Sequence, residues 1–289
     1  MTRRKNRSPQ VTYDLAVLEE AAPKEGVRIL VADIETSLML VQVFSTWKPH
    51  VGVEDIVQDW NILSFAAKWF GTGPVLYQSL RFQDKPVNDF SLCRSLHRLL
   101  SMADVVVAHN GKRFDMRKIR SRMALNRMPP VPNVRVIDTL LEGRKQFGFT
   151  SNTLAYLSER FGPDGVRKVT HAKFPGKALW RECQKGNQEA WDEMEAYNIP
   201  DVLALEGVYR DLRPWYQGAQ NLAIFKDPHG VPEGEHSCPN CGGHSLQKRG
   251  TVYTQVNQYQ RYRCNDCGAW SRGRTPLLSR EERAHVTIN

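Results

Sequence analysis

The sequence lacks any apolar run near the roughly 20 residues that a membrane-spanning helix needs. Its longest apolar stretches, such as Val27 to Asp33 and Asp104 to Ala108, fall far short of that, and the chain opens on MTRRKNRSPQ rather than on an apolar signal core. Cysteine is sparse, six in 289 residues, which excludes a disulfide-dense miniprotein. With 20 Gly and 16 Pro there is too little of either for a collagenous or low-complexity chain, and there is no internal repeat. A soluble, cytoplasmic protein with no membrane partner is expected, with one large domain and a small appendage.

The chain carries 40 Lys+Arg against 31 Asp+Glu, and the excess is confined to its ends. Residues 1–10 hold four basic and no acidic groups, residues 236–289 hold eight basic and three acidic, and the 28 of each sign between them cancel. A neutral middle with two basic ends suits a protein that handles nucleic acid; a solubilising tail at each end is the bland alternative.

Residues 1–25 read as a basic, partly disordered tail. Short apolar runs at 27–33, 38–44, 62–70 and 74–80, broken by turn-rich segments, predict strands, the early ones an antiparallel meander. Phe90, Cys93, Leu96, Leu99 and Leu100 recur at helical spacing, with Asn88 or Asp89 placed as cap. The buried strand 104–110 follows, then a helix ending at Pro129-Pro130, the strand 134–138 and further helices to about Leu212. This alternation predicts an α/β domain over 26–213, and residues 214–235 read as a linker.

Four carboxylates stand where a strand or helix would not ordinarily place a charge. Asp33 and Glu35 close the first strand at i, i+2 spacing and so share a face. Asp115 begins a helix in HNGKRFD, and Asp201 lies four residues after Tyr197 in AYNIPDV. Clustered carboxylates repel one another unless divalent ions neutralise them. Two such ions, about 3.5–4 Å apart, activate water and stabilise the leaving oxygen of a phosphodiester. Taken singly, an Asp at a strand end is more often a helix cap or a turn residue than a catalytic group.

Order and context add to this. The blocks VADIETS, AHNGKRFD and YNIPD resemble those of the DEDD 3′–5′ exonucleases, which have a ribonuclease H-like fold, and are most similar to the proofreading domain of family B polymerases. Asp33 and Glu35 match Asp-x-Glu; Asn110, Phe114 and Asp115 match the second signature; Tyr197 and Asp201 match Tyr-x3-Asp. The family's other branch has His at the position of Ala196, so the Tyr-type (DEDDy) branch is implied. The resemblance implies a mixed five-stranded sheet flanked by helices, and two Mg2+ or Mn2+ held by Asp33, Glu35, Asp115 and Asp201. It further implies an attacking water oriented by Tyr197, and nucleic-acid contacts from Asn110 and Phe114. DNA is favoured over RNA as substrate. No polymerase module fits in this length, so proofreading in cis is not expected.

Seven basic residues between Lys112 and Arg127 read mostly as a solvated helix face; Lys168, His171 and Lys173 in the basic loop are better substrate contacts. Cys238, Cys241, Cys264 and Cys267 form two CxxC knuckles, the spacing of one structural Zn2+ site over 236–274. The segment resembles zinc ribbons of transposase and transcription proteins. Its interleaved basic and aromatic residues, Arg249, Tyr259, Arg261 and Arg263 among them, suit nucleic acid; docking of a protein partner is the alternative. Residues 275–289 read as a C-terminal tail. The reading is a metal-dependent 3′–5′ exonuclease, with an endonuclease on the same fold or a catalytically idle nucleic-acid-binding protein as alternatives.

Overall fold

The computed structural model describes residues 10–47, 50–162, 173–218, 221–225 and 236–288. The chain divides into two compact units, one holding Arg28–Tyr209 with the N-terminal stretch to Lys24, the other Arg210–Asn289 with Glu25–Val27.

The first unit comprises β1 (Val11–Thr12), α1 (Leu15–Glu20), β2 (Ile29–Thr36), β3 (Leu40–Val41), β4 (Ile56–Gln58), β5 (Ile62–Trp69), β6 (Val75–Ser79), α2 (Phe90–Met102), β7 (Val105–Ala108), α3 (Asp115–Leu125), β8 (Arg135–Asp138), α4 (Thr139–Gln146), α5 (Leu154–Ser158), α6 (Ala178–Gln184) and most of α7 (Gln188–Leu212). The main sheet has the order β1-β6-β5-β2-β7-β8. β5 runs antiparallel to β2 and β6, while β7 runs parallel to β2 and β8, so the sheet is mixed. The five expected strands are β2, β5, β6, β7 and β8.

Two local expectations need correction. Residues 11–20, assigned above to a tail, instead form β1 and α1: β1 pairs in parallel with β6, and Leu18 is fully buried while its carbonyl accepts from Trp69 Nε1 at 2.7 Å. The apolar run 38–44 does not enter the main sheet. Only β3 forms there, paired with β4 in a separate hairpin whose Phe44 and Trp47 stay exposed. Apolar content alone does not distinguish a core strand from an exposed arm.

β5 is buried along all eight residues, as expected of a strand covered on both faces. Leu30, Ala32 and Ile34 of β2 join the cluster built by α2 and α3, which turns Val31, Asp33 and Glu35 toward the opposite face. α7 covers that opposite face. Asn198 reaches Ser64 Oγ at 3.4 Å, and eight residues on Glu206 pairs with Lys68, both partners almost fully buried. Asn198 to Glu206 along the helix matches Ser64 to Lys68 along the strand, since about 12 Å of helix spans about 13 Å of strand.

The expected caps of α2 separate into two roles. Asn88 Oδ1 accepts from Phe90 N–H at 3.1 Å, whereas Asp89 is fully buried and receives Arg122 Nε and Nη2 at 2.6 and 3.0 Å. Arg122 thus belongs to the interior, and Lys118 places its ammonium 3.5 Å from the centre of the Trp60 ring. These two cations of the 112–127 series hold the helix in place.

The second unit contains β9 (Leu246–Tyr253), β10 (Gln258–Cys264), β11 (Trp270–Pro276) and α8 (Arg280–Ala284), the strands forming an antiparallel sheet in the order β11-β10-β9. β11 and α8 thus occupy much of the stretch assigned to a tail beyond residue 274. Short 3-10 turns at Arg213–Trp215 and Leu222–Phe225 overlap the region 214–235 read as a linker.

Candidate active site and metal centre

β2 is flanked by β5 and β7, and its last residues outrun β7: the final β2–β7 pair is Val31 with Val107. The Ile34 amide beyond that pair donates to Asp115 Oδ1 at 3.3 Å. Asp115 enters this gap because it opens α3, directly after the turn that follows β7. The side chains on either side of Ile34 are held separately. Asp33 Oδ2 accepts from Asn198 Nδ2 at 2.8 Å, and Glu35 Oε2 accepts from Trp180 Nε1 at 2.8 Å. Trp180 also meets the Tyr197 ring edge-on at a centroid distance of 6.2 Å.

Trp180 and Gln184 lie one turn apart on α6 and act as a double clamp. Gln184 exchanges two hydrogen bonds with the Leu38 backbone, at 3.1 and 3.0 Å, while Trp180 holds Glu35. Tyr197, Asn198 and Asp201 occupy neighbouring positions on α7 at i, i+1 and i+4, so Asn198 brings that helix face onto Asp33. Pro200 removes the amide that would bond the Ala196 carbonyl, loosening the helix beside Tyr197. Asp201 is 2% exposed.

A fifth acid organises the loop between β7 and α3. Asp138 is fully buried and accepts four amides: Asn110 at 3.0 Å, Lys112 at 3.0 Å, Leu140 at 3.1 Å and Leu141 at 3.3 Å. It caps α4 and fastens the Asn110 turn at once. Asn110 has φ 65°, a left-handed conformation that Asn tolerates better than most residues. At Gly111 a Cβ would stand 2.3 Å from that of Ala108, so the tight turn requires glycine there.

Burial, reinforced by the Asp138 charge, pushes the Asp115 carboxyl up to about 7. Raised above the unfolded value, it makes ionisation unfavourable in the fold. The cost begins as pH rises past the unfolded value near 4, and is complete above about 7. Asp115→Asn, which keeps the acceptor oxygen and removes the charge, is therefore expected to stabilise the chain without added divalent ions. The gain should grow between about pH 4 and about pH 7, then level off. Thermal melts of both chains across that range check it; a gain that shrinks with pH contradicts it.

The structure thus links Asp33, Glu35, Asp115 and Tyr197 through Ile34, Asn198 and Trp180, and sets Asp201 on the same helix as Tyr197. Phe114, at the end of the Asn110 turn, is 37% exposed. Lys173 is bound at the surface to Glu189 at 2.7 Å; Lys168 and His171 lie outside the described residues. Sequence reasoning missed Asn198, Trp180 and Asp138. Of these only Asn198 carried a signal, being a polar residue on an otherwise buried helix face beside Tyr197.

In the second unit Cys238, Cys241, Cys264 and Cys267 bring their sulfurs within 4.8 Å of one another, with Cys238–Cys267 and Cys241–Cys264 both at 3.7 Å. Four sulfurs at about 2.3 Å from a tetrahedral zinc ion stand about 3.8 Å apart, so the quartet fits zinc. It does not fit disulfides, whose sulfurs are about 2.0 Å apart. Hydrogen bonds from Cys241 and Cys267 pull Cys238 down to about 4, while its bond to Cys238 pushes Cys267 up. Among the described residues this is the one group of three or more His, Cys, Asp or Glu whose ligand atoms lie that close. Oxygens of Asp33, Glu35 and Asp115 accept from protein donors.

A mixed sheet flanked by helices, with acids on its central strand, defines a class of α/β fold. Comparison of sequences gives the family: the one described as the RNase_H superfamily matches residues 69–213, half of the chain, and the protein belongs to that superfamily. The matched stretch holds Asp115, Tyr197 and Asp201 and begins after β2. Membership supports a nuclease activity. No curated protein matches the chain. Among solved structures, the family B DNA polymerase from the hyperthermophilic archaeon Pyrobaculum calidifontis aligns over 81% of this chain and 32% of its own, at 15% identity and a TM-score of 0.46. This chain spans about a third of that polymerase. Among the described residues no helix is long and apolar enough to cross a membrane.

Proposed function

We propose that the chain is a metal-dependent 3′–5′ exonuclease of the Tyr type, acting on DNA in preference to RNA, with a zinc ribbon that helps hold nucleic acid. What supports this reading is that Asp115 bonds the Ile34 amide between Asp33 and Glu35, while Asn198, on the helix that carries Tyr197 and Asp201, bonds Asp33. An all-oxygen donor set, part of it buried, suits magnesium or manganese. Asp33, Glu35, Asp115 and Asp201 would hold two such ions, which when bound supply Lewis acidity toward water and the scissile phosphate. Asn198 fixes one carboxylate and Trp180 the other, so neither has to be ordered when substrate arrives. Tyr197, steadied by the edge of Trp180, orients the attacking water.

The test is a time course on 5′-labelled single-stranded DNA and RNA with Mg2+ or Mn2+, against a metal-free control. A ladder shortening from the 3′ end supports the reading; internal fragments, or no cleavage with any metal, contradict it. Asn198→Ala isolates the positioning role. It should lower stability by roughly 1.5–3 kcal/mol with the chain still folded, and weaken metal-dependent activity roughly 10- to 100-fold, with part of the activity loss restored at higher Mn2+. Full activity at low metal would assign Asn198 to packing.

A further inference from the structure

The exposed face of the three-stranded sheet has an unusual make-up. β10 alternates, with Tyr262 and Cys264 buried on one face and Arg261 and Arg263 exposed on the other. The register sets Arg261 directly opposite Arg272, and Arg263 opposite Trp270, so these four share the outer face. Two arginines facing each other across an antiparallel pair destabilise a sheet. They are offset by aromatic neighbours: the Arg272 guanidinium lies 4.1 Å from the centre of the Tyr259 ring, and that of Arg261 lies 5.0 Å from the Trp270 ring.

This face forms one wall of a cleft of about 750 Å3, whose other wall is the turn carrying Trp215 and the first knuckle with Asn240. Trp215 and Trp270 are 65% and 55% exposed. Among the described residues Asn240 Oδ1 has no hydrogen-bond partner, although Asn240 Nδ2 is bound to the Arg213 carbonyl. Among the described residues the lining includes Arg261, Arg272 and Arg274 and no carboxylate. A cleft with indoles and guanidinium groups as its chief features, charged with one sign, is complementary to an anion that carries flat rings.

We infer that this cleft binds unpaired nucleotides of single-stranded nucleic acid, with bases stacking on Trp215 and Trp270 and a backbone phosphate lying between Arg261 and Arg272. The inference rests on the reading of the ribbon as a nucleic-acid module and names its site and substrate form. Bases within a duplex are already stacked and do not offer their faces, so the cleft prefers single strands. Arg249 and the Arg263 guanidinium, outside the cleft lining, serve as longer-range attraction.

The experiment uses the full zinc-loaded chain without added magnesium or manganese, reading fluorescence anisotropy of 5′-labelled oligo(dT), oligo(U) and a duplex of equal length. Single strands of either sugar should bind more tightly than duplex and quench tryptophan emission. Trp270→Ala should weaken single-strand binding roughly tenfold or more, with unchanged zinc content, and Trp270→Phe should restore most of it. Arg272→Gln should lower the slope of log affinity against log salt by about one. Equal affinity of Trp270→Ala and the parent overturns the cleft, as does equal binding of duplex. So does capture of a protein ligand that single strands cannot displace. Binding is read without the catalytic ions, so failure of the parent to cleave DNA would overturn the exonuclease reading alone.

Discussion

Asp33→Ala is expected to lower metal-dependent cleavage by roughly a thousandfold or more while the chain stays folded. Asp33 combines two features that no other acid here shares. It lies on the central strand, in register with Ala66 of β5, and its carboxylate is fixed by a side chain from the helix that carries Tyr197 and Asp201. Removing it takes away a proposed anionic ligand and the partner that seats Asn198. The structural cost is about one hydrogen bond to a charged group, roughly 1.5–3 kcal/mol, and the partly exposed site admits water in its place. Steady-state rates on a 3′-terminal substrate, beside the melting temperature, separate the two effects. A parallel loss of both would mean that Asp33 is structural, and an unchanged rate would remove the two-ion reading. Asp33→Asn keeps an oxygen for Asn198 and loses the charge, so it should fail catalytically as well.

Stripping zinc should unfold the second unit. The buried apolar cluster around its knuckles is Cys238, Cys264 and Ala269, with Cys241, Leu246 and Cys267 partly buried against them, and four of these six residues are the proposed ligands. So small an interior does not offset the ordering of about fifty residues, and the metal must supply the difference. Apparent binding energies of about 10–16 kcal/mol for structural zinc are of the needed size. A tight chelator, or Cys238→Ser, is expected to abolish amide protection in β9, β10 and β11 while β2 and β5 keep theirs. Hydrogen exchange resolved by segment reads this directly. Protection that survives complete metal removal would assign the sheet's stability to its side chains.

Legibility followed the range of the signals. The apolar face of α2 and the continuous runs of β5 and β7 are local patterns, and the sequence reading located all three. The acids of the candidate site were proposed because their blocks are short and chemically odd: a strand should not end in two carboxylates. What escaped detection depends on partners far away in sequence. Trp180 holds Glu35 across 145 residues, and Arg122 reaches Asp89 across 33. An arginine read as part of a solvated face is therefore the counterion of an aspartate read as a cap. The same limit explains α1, whose single buried leucine acquires meaning only when Trp69 stands beside it.

The edge strand β1 has a consequence in time. Val11 pairs with Val75, so the ribosome completes β1 before it has made the strand that β1 covers. At about 5–20 residues per second the interval is roughly 3 to 13 seconds. When β6 finally emerges, its outer row of amides and carbonyls finds a partner already waiting, and part of the edge that would invite another nascent chain is closed as it forms. Two residues of pairing add little to the stability of the finished protein, but they arrive in the right order to guard its assembly.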